Sequence, residues 1–191
     1  MLSISMKDAG NGAVLSGALN GRSALGRLLA LAAAEPGQPE PVFLDFHGVE
    51  VATASYLREC VLAFRQAIRG RDSHYYPVIA NPNESVRDEL VELARARGDV
   101  FMTCALAEDG TVSGAALTGD LEEKQLLTFK LVQQRGETDA GELMRAYGKR
   151  EKVRHATAWN NRLSALASLG LVVEMRRGRL KRYRPLFEGV Q

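Results

Sequence analysis

Between Thr157 and Leu186 an amphipathic helix runs straight into a basic hairpin, and this junction restricts what the segment around it can fold into. In TAWNNRLSALASLGL, Trp159, Leu163, Leu166 and Gly170 fall at helical spacing, so the inner stripe is apolar. VVEMRRGRLKRYRPL then reads as two short strands around a basic turn at Arg177–Gly178, where Gly178 supplies the backbone freedom a turn needs. Upstream, LEEKQLLTFKLVQQRG reads as a first helix with Leu127 and Leu131 on one face. TDAGELMRAYG reads as a second, shorter helix. Thr138 and Asp139 offer N-cap oxygens, and Glu142 places an acid in the first turn, where the helix dipole favours it. The link from Gly148 to Ala156 carries Lys149, Arg150, Lys152, Arg154 and His155. It is longer and more basic than a tight three- or four-residue turn.

Helix, helix, longer helix and basic hairpin is the order of winged-helix DNA-binding domains. NRLSALASLGLV followed by RRGRLKRYRP resembles a bacterial transcription-factor recognition helix running into its wing, and the resemblance covers the last third of the chain. It implies that double-stranded DNA is the partner, with the third helix in the major groove. With Trp159 and Leu163 pointing inward, Asn160, Asn161 and Ser164 turn outward, and Asn can contact adenine in a bidentate fashion. Arg154, His155, Thr157 and Arg162 join them at or near that helix. On the wing, Arg176, Arg177, Arg179, Lys181 and Arg182 are the residues expected to reach phosphate or a narrow minor groove. The plainer alternatives are tolerated surface asparagines and arginines that serve solubility. Trp159 reads as core rather than as a stacking platform, since it lies on the apolar stripe.

Charge agrees with this division of the chain. The formal net charge of the 191 residues is only +2, but residues 121–191 hold 15 Lys+Arg and 8 Asp+Glu, whereas residues 1–120 hold 10 and 15. That asymmetry suggests two domains, 1–119 and 120–191, with nucleic acid as the partner of the basic one. The two cysteines, Cys60 and Cys104, lie far apart in apolar runs and read as reduced core residues. No basic start followed by a long apolar run marks a signal peptide, and no stretch approaches the roughly 20 apolar residues of a membrane span. The expected compartment is the bacterial cytoplasm, with no membrane partner.

The first 120 residues alternate strand and helix patterns. LSISM and AVLSG flank the turn-rich DAGNG and read as a hairpin. GRSALGRLLALAAAEPG is a helix stopped by Pro36–Gly37, with Leu25, Leu28, Leu29 and Ala32 on one face. PVFLDF is a short buried strand, and HGVEVAT a loop. SYLRECVLAFRQAIRG is a helix with Leu57, Val61, Phe64 and Ile68 inward and Ser55 at the N-cap position. YYPVIAN is another strand. NPNESVRDELVELARARG is a helix that turns Val86, Leu90, Leu93 and Ala94 inward and ends at Gly98. VFMTCALAED and GTVSGAALT close the domain as a hairpin around Asp109–Gly110. The expected class is a mixed α/β (α+β) sheet with helices laid on it.

VFLDFHGVEVATASYLRECVLAF makes this half similar to STAS-like domains, the fold of bacterial anti-sigma-factor antagonists. There a buried strand ends in Asp, a Gly-Val turn follows, and a small-residue cluster opens the next helix. The resemblance covers about 120 residues in element order and about 25 in motif. It implies a sensory or protein-interaction domain, with Asp45, Thr53 and Ser55 at the regulatory positions. In the antagonists the cluster is Asp-Ser-Ser-Gly with a phosphorylated first Ser. Here the matching residues are Thr53, Ala54, Ser55 and Tyr56, so the acceptor position has no hydroxyl, and Ser55 is expected to cap the helix rather than act as a phosphoswitch.

An enzyme is the rival reading. Asp45, His47 and Ser55 supply the residue types of a hydrolytic triad, which needs nucleophile and base within hydrogen-bond reach and an acid to orient the base. There is no Gly-rich phosphate loop, and His47, His74 and His155 have no metal-ligand neighbours at useful spacing. The sequence thus leads to a DNA-binding regulator that is not an enzyme and needs no cofactor or metal. A partner-switching interaction module, a protein partner at the N-terminal domain and a homodimer remain open beside it.

Overall fold

In the computed structural model, which describes residues 1–178 and 180–190, the chain opens with β1 (Leu2–Ser5), α1 (Met6–Gly10), β2 (Val14–Leu15) and α2 (Ala18–Leu31). There follow β3 (Glu40–Asp45), β4 (Val51–Ala52) and α3 (Ala54–Leu57), which continues through a π turn (Arg58–Leu62) into α4 (Ala63–Gly70). The remaining elements before residue 120 are β5 (Tyr75–Ala80), α5 (Glu84–Arg97), β6 (Phe101–Leu106) and β7 (Val112–Thr118). The chain divides into two compact units at Asp120/Leu121.

The first unit is built on a five-stranded sheet in the order β1-β3-β5-β6-β7. Its first four strands run parallel and β7 is antiparallel to β6, so the architecture is mixed α/β. Because the parallel strands follow each other across the sheet without reversal, right-handed crossovers return the intervening helices to one face. Ile4, Val42, Leu44 and Ile79 of the strands accordingly share one core with Leu28 of α2, Phe64 and Ile68 of α4, and Val86 and Leu90 of α5. The central strand β5 is buried along its whole length, as its apolar sequence requires.

Three local expectations are corrected here. Residues 2–16 do not form a hairpin: β1 pairs in parallel with β3, Leu2 opposite Val42 and Ser5 opposite Asp45, while β2 pairs in parallel with β4, Val14 opposite Val51. DAGNG is therefore not a joint between paired strands. Its first residues belong to α1, whose N-cap Ser5 accepts a hydrogen bond from the Asp8 N–H at 3.2 Å and which buries Met6 and Ala9. Burial of those two side chains favours a helical turn over a solvated hairpin tip. The segment HGVEVAT likewise contributes β4. The third correction concerns Ser55. The N-cap of α3 is Thr53, whose hydroxyl accepts from the Tyr56 N–H at 3.4 Å, because the helix starts at Ala54.

Other ends follow the sequence. Asn83 caps α5 by accepting from the Val86 N–H at 2.9 Å, and Gly98 ends that helix in the left-handed region at φ 59°. Asp109 accepts from the Thr111 N–H at 2.8 Å in the β6–β7 turn. Arg65 of α4 is buried. It pairs with Asp99, donates to the Val100 carbonyl at 2.6 Å and lies over the Phe101 ring.

The second unit comprises α6 (Glu123–Arg135), α7 (Ala140–Tyr147), α8 (Ala156–Ser168) and an antiparallel pair, β8 (Val172–Arg177) and β9 (Leu180–Pro185). α8 packs on α6, α7 and β8. Its Trp159, Leu163 and Leu166 are fully buried, as are Val132 of α6, Leu143 of α7 and Val172 of β8. Thr138 bridges Tyr183 of β9 through reciprocal backbone hydrogen bonds of 2.9 and 2.8 Å, adding a short third edge to the hairpin. Gly178 sits in the turn at φ 64°. Of the expected wing residues, Arg179 lies outside the described residues, and so does the side chain of Arg177.

Candidate functional site

The hydrogen bonds of the second unit sort its basic residues into two groups. In the first, cations brace the hairpin. Asp139 and Glu142 form a capping box at the start of α7: the Glu142 N–H donates to Asp139 at 2.8 Å, and the Asp139 N–H donates back to Glu142 at 3.3 Å. Arg182 of β9 inserts its guanidinium among these acids, donating to Asp139 at 3.1 Å, to Glu142 at 3.0 Å and also to Glu137. The hydrogen bond from Arg182 is the main reason the Glu142 carboxyl is held below its ordinary value. Reciprocally, Glu142 and then Glu137 push the Arg182 guanidinium up.

A second brace centres on Glu174 of β8. Lys181 approaches it at 2.9 Å, Arg176 at 3.4 Å, and the Tyr183 hydroxyl donates to it at 3.3 Å. Burial pushes the Glu174 carboxyl up, but Lys181, Arg176 and Tyr183 together outweigh burial and hold it low. Tyr183 is pushed up to about 12, chiefly by burial, and its oxygen lies 3.2 Å from Ser164 Oγ on α8. Ser164 is thus engaged with the hairpin.

The second group surrounds the start of α8. Arg154, His155, Thr157 and Asn161 are exposed and Asn160 is half-buried, on the side of the helix away from Trp159 and Leu163. Arg162 lies over the Trp159 ring, 4.9 Å from its centroid. Arg162 Nη1 and Trp159 Nε1 are buried without a hydrogen-bond partner among the described residues. His155 is the N-cap of α8 but makes no side-chain cap hydrogen bond, and no acid stands in the first turn.

The preceding link is an ordered loop. The Glu151 N–H donates to the Tyr147 carbonyl at 2.9 Å and the Val153 N–H to the Gly148 carbonyl at 2.8 Å. Gly148 packs so closely on α7 that a Cβ would stand 2.5 Å from the Met144 carbonyl oxygen, so no side chain fits there. Lys152 adopts a left-handed backbone at φ 52°, which costs a non-glycine residue about 1 kcal/mol. Lys149 and Lys152, which motif reasoning passes over, project from this loop and are exposed. The excess of basic residues in GKREKVRH is the sequence signal that marks them.

In the first unit, Thr53 and Ser55 come together: their hydroxyl oxygens are 3.1 Å apart, and the Gly17 N–H also donates to Thr53 Oγ1 at 3.4 Å. Asp45 is placed elsewhere, at the end of β3, where it accepts from the backbone N–H of His47 at 3.0 Å and from Asn81 at 2.9 Å. Asp45, His47 and Asn81 line a cleft of about 330 Å³ that Ser55 does not reach. The three residue types of a hydrolytic triad are therefore not assembled: Asp45 bonds the amide of His47 rather than its ring, and Ser55 bonds Thr53. Among the described residues no three His, Cys, Asp or Glu side chains gather in a way that could hold a metal ion. No helix among them is long and apolar enough to cross a membrane. No protein-family model matches this sequence, and no curated protein matches it.

Proposed function

We propose that this chain is a bacterial or phage DNA-binding regulator whose second unit is a winged helix-turn-helix and whose first unit is a STAS-like sensory or interaction domain. The observation that carries this reading is α8: a helix with a fully buried apolar stripe and an opposite polar face on which Thr157 and Asn161 are exposed and Asn160 is half-buried. It is flanked by basic residues, in the last third of the chain, residues 121–191, which holds 15 Lys+Arg against 8 Asp+Glu. A helix of this kind fits the major groove of B-DNA, where asparagine can read adenine, while lysine and arginine neutralise phosphates. The mechanism needs no covalent chemistry. Binding releases counterions, so affinity falls as salt rises.

The test is fluorescence anisotropy of the whole chain with labelled duplexes across a salt series. Duplex binding that weakens steeply with salt supports the reading; no duplex binding at low salt overturns it.

A second reading rests on the first unit. Val14 and Val51, paired in register, are 59% and 40% exposed, and Leu19 at the start of α2 is 77% exposed. The exposed pair of Val14 and Val51, with Val51 two residues before Thr53, favours a protein partner of the partner-switching kind.

A further inference from the structure

The basic residues of the second unit are not equivalent, because some are already neutralised within the fold. Arg182 is held by Glu137, Asp139 and Glu142, while Lys181 and Arg176 are held by Glu174. A cation must leave its carboxylate to meet a phosphate, and one that is already paired releases fewer counterions. Lys149, Lys152 and Arg154, by contrast, are exposed and have no acid within ion-pair distance among the described residues. All three belong to the link between α7 and α8.

We infer that this link, through Lys149, Lys152 and Arg154, grips the phosphate backbone of duplex DNA and carries more of the salt dependence of binding than Arg176, Lys181 and Arg182 of the hairpin. The inference rests on the DNA-binding reading above and assigns its phosphate contacts. Three further observations support it. The link is closed by the hydrogen bond from Val153 to Gly148 and anchored where Gly148 packs on Met144, so it loses little freedom on binding. Lys152 keeps a long cationic side chain at a left-handed position, φ 52°, where glycine would be unstrained. The link delivers the chain to the first turn of α8, which has neither a side-chain cap nor an acid, so the positive end of that helix is not offset there.

The experiment is anisotropy of the full chain with a labelled duplex, reading the slope of log K against log salt. Lys149→Ala/Lys152→Ala/Arg154→Ala is compared with Arg176→Ala/Lys181→Ala, and each variant is checked by thermal melting. Loss of three phosphate contacts is expected to flatten the slope by about 2.7, at about 0.9 per contact. The hairpin pair is expected to change it less. Lys152→Gly separates charge from folding: it should melt at or above the wild-type temperature yet flatten the slope by about 0.9. A triple variant that keeps the wild-type slope while the hairpin pair loses it overturns the inference and leaves DNA binding intact. A wild-type chain with no salt-dependent duplex binding overturns both this assignment and the reading it rests on.

Discussion

Arg182 and Glu142 are 40 residues apart in sequence, yet the Arg182 guanidinium donates to the Glu142 carboxylate at 3.0 Å. That contact joins β9 to the first turn of α7, beside the backbone bridge of Thr138 and Tyr183. It gives a basic residue of the hairpin a structural task, since the same guanidinium also serves Asp139 and Glu137.

Removing that cation leaves three neighbouring carboxylates without their common donor. Arg182→Ala is expected to lower the urea midpoint of the second unit. Arg182→Lys should restore only part of it, because an ammonium lacks the planar fork that serves several acceptors at once. Trp159 is the chain's single tryptophan and is fully buried in this unit, so its fluorescence reports the transition in urea. An unchanged midpoint in Arg182→Ala would contradict the bracing role.

The same contact sets a pH dependence. The Glu142 carboxyl titrates below its ordinary value of 4.5 in the folded state, chiefly because Arg182 donates to it. A carboxylate with a depressed folded value contributes stability that is full above the unfolded value and is lost as the pH falls through the folded one. Melting of the second unit should therefore weaken below about pH 4.5. Glu142→Gln should show a shallower acid slope than the wild type, without abolishing it, since Glu174 is depressed in the same direction. Parallel acid profiles for the two proteins would rule out Glu142 as a contributor.

At the start of α3, the hydroxyl that faces the helix amides belongs to Thr53. Thr53→Ala should destabilise the first unit by about 0.5–2 kcal/mol, the usual effect of losing an N-cap. Ser55→Ala should do less, because among the described residues Ser55 Oγ reaches only Thr53. Thermal melts followed by far-ultraviolet circular dichroism rank the two, and the reverse order would return the cap to Ser55.

On the proposal that α8 reads DNA, Asn160→Ala or Asn161→Ala should weaken a mapped cognate site by roughly 1–3 kcal/mol and relax its sequence preference. Competition binding against base-substituted duplexes reads both effects. If neither substitution alters a mapped site, the face of α8 turned to DNA is a different one.

Much of this fold can be read in the chain. The apolar spacing of Trp159, Leu163 and Leu166 sets α8, Gly98 ends α5, and Asp109–Gly110 turns β6 into β7. Each of these is a local matter, decided by side chains within a few residues of one another, where period and capping chemistry suffice. The acids of the capping box are equally visible in TDAGE.

Tertiary structure decided what depends on distant partners. LSISM and AVLSG are both good strands, but which strand each one pairs with was settled by the arrival of β3 and β4 more than thirty positions later, and burial of Met6 and Ala9 turned the supposed hairpin tip into a helix. The start of α3 shifted from Ser55 to Ala54, and Thr53 became its cap, because the hydroxyl of Thr53 also meets the Gly17 amide brought in by α2. In the candidate site, sequence determined that the last third is basic and that α8 has an outward polar face. Which cations are engaged within the fold was decided only when β9 folded back on α7, since a paired and an unpaired cation look alike in sequence until the distance to the nearest carboxylate is set.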